Sequence, residues 1–195
     1  MSIPSEVETC WSSLSPEEKR ARLLQAAGEV FAREGLDAPM PAIAAAAGAG
    51  VGSVYRQFPS KHDLLAALVV ERLQESEEGA VAALDGCEGP FLALTGLLWT
   101  LAERQATDDV LGEAMATVSA HPAVQDALQG TVQALERLLA AAQAEGRLRA
   151  DATGLDLRLI FAATRAAGAL GPEAWRRMLE LAIDALQAGA PGVAS

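Results

Sequence analysis

A short apolar segment, a glycine and a second short segment that can form a helix constrain the fold of this chain most strongly. The first, 43–47, reads Ile-Ala-Ala-Ala-Ala and runs into Gly48, a residue that lets the backbone reverse where a side chain would hinder it. The second begins near Gly50 or Val51 and stops before Pro59, because the residue before a proline avoids the helical region. Two short helices joined by such a turn are typical of a helix-turn-helix, whose second helix enters the major groove of DNA.

The net charge of the chain argues against that interpretation, but the distribution of the charge does not. The formal net charge is −11, whereas affinity for nucleic acid usually depends on Lys and Arg that neutralise phosphates. Segment 38–62 has no Asp or Glu and includes the basic residues Arg56 and Lys61. Segment 71–113 instead holds ten acidic residues and two basic ones. The acidity therefore lies mostly outside the helix-turn-helix, which leaves room for a weak local cationic face.

Composition predicts the fold class and the compartment. Hydrophobic residues make up 51% of the 195 residues and aromatic residues 4%, a mixture of Ala, Leu and Val that favours an all-α fold. No apolar stretch reaches the roughly 18 to 20 residues that a membrane span needs. The start of the chain lacks the basic residues of a signal peptide, and Cys10 and Cys87 have no pairing pattern. We therefore expect a cytoplasmic protein with reduced thiols.

Helix-start and helix-stop signals divide the chain into two helical domains. Ser15 and Glu18 form a capping-box pattern around Pro16, and Ser60 and Asp63 repeat the pattern before a longer helix. The predicted architecture is an N-terminal three-helix helix-turn-helix domain followed by a larger C-terminal helical domain. The predicted bounds are 1–14 for a flexible N-terminal arm, 15–62 for the helix-turn-helix domain, about 60–78 for a connecting helix, 79–189 for the C-terminal domain and 190–195 for a tail.

The residues around the second short helix resemble a known family. Segment 52–61 reads Gly-Ser-Val-Tyr-Arg-Gln-Phe-Pro-Ser-Lys and is similar to the DNA-binding signature of the TetR family of bacterial one-component regulators. The likeness continues through 23–27, 31–35 and 63–65, so that it covers about residues 20–75. It implies an all-α homodimer that binds a palindromic operator. It also implies that the operator is usually released when a small molecule enters the C-terminal domain.

Two positions depart from the family pattern. Pro39 and Met40 stand where the family commonly has a threonine that caps the first helix of the motif and contacts phosphate. Gly50 and Val51 stand where it often has a serine followed by a polar residue. Because both changes remove polar contacts, we expect modest affinity for DNA and a shallow dependence on salt.

The second short helix supplies most of the candidate DNA contacts. Ser, Gln and Arg can hydrogen-bond base edges or phosphates, and a valine methyl group can meet a thymine methyl group. By resemblance, Tyr55 and Lys61 contact phosphates, and the helix that starts at Ser60 offers its N-terminal N–H groups. The predicted DNA-binding residues are Val51, Gly52, Ser53, Tyr55, Arg56, Gln57, Ser60 and Lys61. The alternative is a helical hairpin used for packing, in which Tyr55 steadies the hairpin and Arg56 is a solvated charge.

The resemblance makes the C-terminal domain an effector-binding and dimerisation domain. Effector sites are mostly apolar, and the candidate effector-pocket residues are Phe91, Trp99, Met115 and Phe161. Small residues on one helix and a bulky stripe on the next would let two copies form a four-helix interface. The candidate dimer-interface residues are Ala163, Ala167, Trp175, Met178, Leu179 and Leu186. For both sets the alternative is the core of the chain itself.

The sequence therefore predicts a DNA-binding transcriptional regulator, with repression as the default mode and activation left open. Its expected partners are double-stranded DNA with a palindromic operator, a small-molecule effector and a second copy of the chain. No metal-ligand spacing, catalytic set or phosphate-binding glycine loop occurs in the sequence, so we expect no metal, no cofactor and no enzymatic activity. The alternative is a helical protein-interaction adaptor that has lost its affinity for DNA, as the net charge would allow.

Overall fold

The computed structural model describes residues 11–84, 89–107, 109–171 and 173–189. Within these ranges the chain forms nine α-helices and a short 3-10 turn, Trp11–Ser13. The only extended pairing there is an isolated bridge between Leu148 and Gln187. The all-α prediction is therefore confirmed.

The chain divides into two compact units, one ending at Leu68 and the other starting at Val69. Three predictions fall wholly or partly outside the described residues: most of the N-terminal arm, the tail after 189, and the state of the two cysteines. The predicted domain bounds stay a prediction.

The first unit contains the helix-turn-helix. Its helices are α1 (Pro16–Glu34), α2 (Met40–Ala46) and α3 (Val51–Gln57), followed by the start of α4 (Lys61–Leu84). Each helix turns one apolar face to a common core, as the hydrophobic periodicity of α1 predicts. The residues most deeply buried in this unit are Leu23, Ala27, Val30, Phe31, Ile43, Ala44, Val54, Phe58 and Leu64.

Helices α1 and α4 each start with a side-chain cap that satisfies N–H groups of the first turn. At α1, the Glu18 carboxylate accepts from the Ser15 N–H at 2.7 Å, and the Ser15 hydroxyl accepts from the Glu18 N–H at 3.1 Å. Ser60 and Asp63 form the same box at α4, so both predicted capping boxes are confirmed. The backbone N–H of Ser15 holds the pKa of Glu18 below its ordinary value.

The second unit consists of the rest of α4 and five further helices. These are α5 (Pro90–Thr107), α6 (Asp109–Val118), α7 (Pro122–Ala144), α8 (Gly154–Gly168) and α9 (Ala174–Leu186). Its core is formed mainly by Leu, Ala and a single tryptophan, among them Leu94, Leu98, Leu138, Trp175 and Leu179. In the part of the chain that the structure describes, no helix is both long and apolar enough to cross a membrane.

Helix α4 continues beyond its predicted end near Glu78 and stops at Leu84. Gly79 does not end the helix, because it lies where α5 approaches closely: a methyl group at this position would lie 3.4 Å from Cδ1 of Leu97. The next residue, Ala80, is fully buried. Gly79 and Ala80 therefore form a packing surface inside α4.

Candidate nucleic-acid interface and effector site

The turn between α2 and α3 is closed by backbone hydrogen bonds around Gly48. The φ angle of Gly48 is 66°, in the left-handed region that favours glycine at the end of a helix. The Ala49 N–H donates to the Ala44 carbonyl at 2.8 Å, and the Gly48 N–H donates to the Ala45 carbonyl at 3.1 Å. These bonds occupy the last carbonyl groups of α2, so the helix ends there and α3 starts at Val51.

One face of α3 anchors it to the first unit. Val54 and Phe58 are both buried, and α2 contributes Ile43 and Ala44 to the core of the same unit. All four residues therefore face the core of the first unit. Because the anchors are one turn apart, the opposite face of α3 points to solvent.

The six α3 residues that do not serve as anchors form a surface that we call the reading face. Val51 and Tyr55 are large side chains that remain 40% and 48% exposed. Gly52 and Arg56 are also exposed, and Ser53 and Gln57 are half-buried. The reading face thus consists of Val51, Gly52, Ser53, Tyr55, Arg56 and Gln57.

Arg56 is held by another member of the reading face. Its Nη2 donates a hydrogen bond of 2.7 Å to the hydroxyl of Ser53, one turn earlier in α3. Such a bond restricts a long side chain that is otherwise mobile. It leaves the other N–H groups of the guanidinium available, and a planar guanidinium matches the paired acceptors of guanine or a phosphate.

The start of α4 lies next in sequence and holds the remaining two candidate residues. Ser60 is exposed, but its N–H and hydroxyl are engaged with Asp63. Lys61 is half-buried, with its Nζ 5.8 Å from the centroid of the Phe31 ring, a cation–π arrangement that steadies the ammonium group. Lys61 therefore offers a positioned charge, while Ser60 mainly serves the cap.

Two arginines of α1 that sequence reasoning did not single out lie beside the motif. The guanidinium of Arg20 is 4.8 Å from the centroid of the Phe58 ring. Arg22 approaches the turn, since a methyl group at Gly48 would lie 3.6 Å from its Nη2. Both belong to a helix whose first turn is acidic, so the net charge of that segment does not indicate DNA-contacting residues. Their position adds positive charge next to α2 and α3.

The first residues of α2 and α3 have no side-chain caps. The N-cap residues are Pro39 and Gly50, and neither has a side-chain hydrogen bond to the helix that it precedes. This agrees with the expectation that the residues at these positions lack the polar side chains common in the TetR family. The uncapped N–H groups can bond to phosphate oxygens instead.

Comparisons with known proteins place this arrangement in a family. Residues 23–68 match the tetR family of bacterial regulatory proteins, and residues 89–188 match the C-terminal domain of SbtR-like transcriptional regulators. The chain belongs to the tetR family. It is a DNA-binding transcriptional regulator, and its helix-turn-helix is the DNA-binding element of the family.

Solved structures of tetR-family regulators support the same assignment over most of the chain. A regulator from Mycobacterium vanbaalenii is 32% identical, with a TM-score of 0.66, over 87% of this chain and 95% of its own. A regulator from Streptomyces coelicolor is 30% identical, with a TM-score of 0.63, over 88% and 99%. A Thermus thermophilus repressor solved with lauroyl-CoA shares the fold at 23% identity and a TM-score of 0.60, over 89% and 99%. No curated protein matches by sequence.

Three of the four predicted effector-pocket residues of this tetR-family regulator lie in or against the core of the second unit. Phe91 is buried in the core of the second unit, and the guanidinium of Arg147 lies 4.9 Å from the centroid of its ring. Trp99 and Phe161 are partly buried against the same core, and Met115 is half-buried on α6. None of the four belongs to the wall of the cavity of about 560 Å³ between α5, α8 and α9. Their role in effector binding stays a prediction.

The six predicted dimer-interface residues separate into two groups. Trp175, Leu179 and Leu186 are buried in the core of their own chain. Ala163, Ala167 and Met178 are half-buried. The periodicity of α9 thus identifies an apolar face correctly, but that face packs against α5 and α8 of the same chain.

A second apolar stripe on α8 and α9 remains exposed, and we call it the outer stripe. On α8 its residues recur at a spacing of three or four, which places them on one helix face. Leu155 and Leu159 are 58% and 57% exposed. The outer stripe consists of Leu155, Leu159, Ala162 and Ala166 on α8 and of Leu181 and Ala185 on α9.

Proposed function

We propose that this regulator is a repressor that binds a palindromic operator as a homodimer and leaves it when a small molecule binds the second unit. The observation that carries the proposal is the orientation of α3. Its anchors Val54 and Phe58 are buried, while Tyr55 and Arg56 are exposed within a segment that has no acidic residue. An acidic protein can bind DNA through such a face because phosphate attraction acts locally, over about a Debye length.

Some residues of the reading face and its surroundings are suited to base contacts, and others are suited to phosphate contacts. Arg56 and Gln57 are the main polar readers, because Val51 and Gly52 offer only apolar or minimal surface to a base edge. Tyr55 and Lys61 are assigned to phosphates, and Arg20 and Arg22 join them, whereas the N–H and the hydroxyl of Ser60 already donate to Asp63. Phosphate contacts set the register of the helix in the groove, and base contacts carry the sequence preference.

The outer stripe supports the homodimer. A stripe of large exposed apolar side chains on two adjacent helices is unusual for a monomer and typical of an interface between subunits. Pairing two copies through α8 and α9 would bury the exposed leucines in a four-helix interface. The dimer would present two copies of α3 to half-sites about 34 to 36 Å apart.

Two neighbours of the same fold that were solved with small molecules support the proposal of release by an effector. The Thermus thermophilus neighbour is a repressor solved with lauroyl-CoA, and another neighbour of the same fold was solved with resorcinol. For the present chain we infer an effector that favours a dimer in which the two recognition helices no longer match successive major grooves. By thermodynamic linkage, effector and operator then weaken each other's binding by the same factor.

Selection of bound duplexes from random DNA by the purified protein tests the proposal. The expected result is a palindrome whose half-site centres are about 10 base pairs apart. If no sequence is enriched even at low salt, the reading face does not read DNA, and the adaptor hypothesis replaces the regulator mechanism.

A further inference from the structure

The cavity between α5, α8 and α9 lies wholly within the second unit and has a volume of about 560 Å³. This volume lies within the range of small-molecule sites. Its apolar surface is provided by small residues and one aromatic ring, Ala102, Ala106, Gly168, Ala169 and Trp175. Its polar surface is provided by Glu103, Gln105, Thr164, Arg165 and Arg176.

Thr164 has a buried hydroxyl group without a hydrogen bond. The residue is only 2% exposed, and its Oγ1 has no partner among the described residues. A threonine inside a helix commonly donates to the carbonyl group four residues earlier, and most buried hydroxyl groups have a partner. Thr164 is therefore an exception in the wall of a cavity, where a bound molecule can supply the missing partner.

Arg165 brings to the same cavity a positive charge that no described residue compensates. It forms no hydrogen bond or ion pair with the described part of the chain, although that chain is strongly acidic overall. Its guanidinium lies against the bare backbone of α6, where a methyl group at Gly112 would be 2.6 Å from Nη2. Arg165 is also exposed, so a ligand can reach it. A positioned planar guanidinium is suited to a carboxylate, which it can bind through two parallel hydrogen bonds.

Arg176, the other arginine of the cavity wall, already forms ion pairs with two carboxylates. The guanidinium of Arg176 is paired with Glu173 at 3.0 Å and with Glu103 at 3.8 Å, and it lies 4.6 Å from the centroid of the Trp175 ring. The Gln105 amide donates to the Phe161 carbonyl at 3.3 Å. The charged residues of the cavity wall are Glu103, Arg165 and Arg176, which sum to one positive charge and favour a ligand with a single negative charge.

We infer that this cavity binds a small monocarboxylate with an aromatic or aliphatic body. The Arg165 guanidinium donates hydrogen bonds to the carboxylate of the ligand, and the Thr164 hydroxyl gains a hydrogen-bond partner. Trp175 and the alanines contact the apolar part of the ligand. The assignment of this cavity as the effector site rests on the proposed function, whereas the binding of the carboxylate does not.

Calorimetric titration of the full chain with benzoate, 2-naphthoate and octanoate, each beside its neutral carboxamide, tests the inference. We expect at least one carboxylate to bind ten or more times more tightly than its amide. Arg165→Ala should weaken that binding at least tenfold. Arg158→Ala is the matched control, because Arg158 is an exposed arginine of α8 outside the cavity wall, and it should bind like the wild type.

Two further variants separate ligand contact from a structural role. Thr164→Val removes a hydroxyl group that has no partner, so thermal stability without ligand should not fall while carboxylate affinity drops several-fold. Gly112→Ala places a methyl group where the Arg165 guanidinium lies and should also weaken binding, although alanine favours the helix more than glycine does.

Three results would overturn the inference: no carboxylate of the panel binds, the amides bind as tightly as the acids, or Arg165→Ala binds like the wild type. A separate titration of operator DNA in the presence of the carboxylate distinguishes the two proposals. Binding of the carboxylate without any change in operator affinity upholds the site and contradicts effector release.

Discussion

At the residue scale, Arg56 and Gln57 provide most of the base recognition that we assign to α3, because the side chains of Val51 and Gly52 offer no hydrogen-bonding group. Replacing Arg56 with Ala should cost about 1 to 3 kcal/mol of operator affinity, a loss of roughly 5- to 150-fold, as for a lost bidentate base contact. Arg33→Ala is a control, since Arg33 is exposed at the end of α1 and paired with Glu34 at 2.7 Å. Fluorescence anisotropy on labelled operator measures both. Equal losses in the two variants would make Arg56 an ordinary surface charge.

Substitution of glycine by alanine should change the free energy of unfolding in opposite directions at Gly48 and Gly28. Gly48→Ala forces a side chain into the left-handed region and should cost about 1 to 2 kcal/mol of the free energy of unfolding. Space is not the cause, because the nearest side-chain atom would be 3.6 Å away. Gly28 lies inside α1 with no atom within 4 Å of an added methyl group, so Gly28→Ala should stabilise by about 1 kcal/mol. Urea unfolding of both variants checks the signs, and a neutral Gly48→Ala would contradict the role of the turn.

Residue-scale features were predictable from the sequence where they depend on neighbours in the chain. The caps of Ser15 and Ser60 each require one partner three residues later, and both were predicted. The approach of Arg22 to the turn depends on how α1 packs against α2. Nothing in the local sequence of α1 indicates that contact.

At the element scale, the start of α8 carries an acid-sensitive cap. The Asp156 carboxylate accepts from the N–H and the hydroxyl of Thr153, each at 2.7 Å. These bonds hold the pKa of Asp156 below its ordinary value, with the Thr153 side chain as the largest cause. A carboxyl group with a lowered folded-state pKa adds stability above its unfolded-state pKa, and that stability is lost as the pH falls through the lowered value.

Asp156→Asn should therefore reduce the pH dependence of the free energy of unfolding between about pH 5 and pH 2. The measurement is thermal or urea unfolding of variant and wild type across that range. Asp184→Asn removes a carboxylate of α9 that forms no side-chain hydrogen bond within the described part of the chain, and it should keep the wild-type dependence. A wild-type profile in Asp156→Asn would mean that the cap adds nothing to stability.

The helices themselves were easier to predict from the sequence than the surfaces against which they pack. Periodicity predicts the apolar stripe of Trp175 and Leu179, but it does not distinguish a stripe that faces its own chain from one that faces a second copy. The same limit applies to α4, which continues past its predicted end near Glu78 because Gly79 packs beside Leu97. Both ambiguities depend on contacts between residues that are far apart in sequence.

At the scale of the whole molecule, the outer stripe should decide the oligomeric state. Leu159→Glu places a charge on the proposed interface and should convert a dimer of the 20.2 kDa chain into a monomer. Leu128→Glu alters an exposed leucine of α7 that is 44% exposed and should leave the dimer intact. Sedimentation equilibrium distinguishes the two outcomes. A dimeric Leu159→Glu would move the interface away from α8.

The cavity between α5, α8 and α9 was not predicted, because its wall combines residues of three helices. Trp175 appears in the sequence as part of a stripe, and Thr164 and Arg165 appear as an ordinary polar pair. They become candidates for a ligand only because they lie around one cavity, where the Thr164 hydroxyl and the Arg165 guanidinium have no bonding partner among the described residues.

The central claim is that two copies of α3 read the two halves of one operator. The most direct test measures the affinity of the full chain for the selected palindrome and for the same duplex with one half-site scrambled, at equal salt. We predict that scrambling one half-site weakens binding at least a hundredfold. Equal affinity for the two duplexes would contradict the claim and leave only sequence-independent attraction to phosphate.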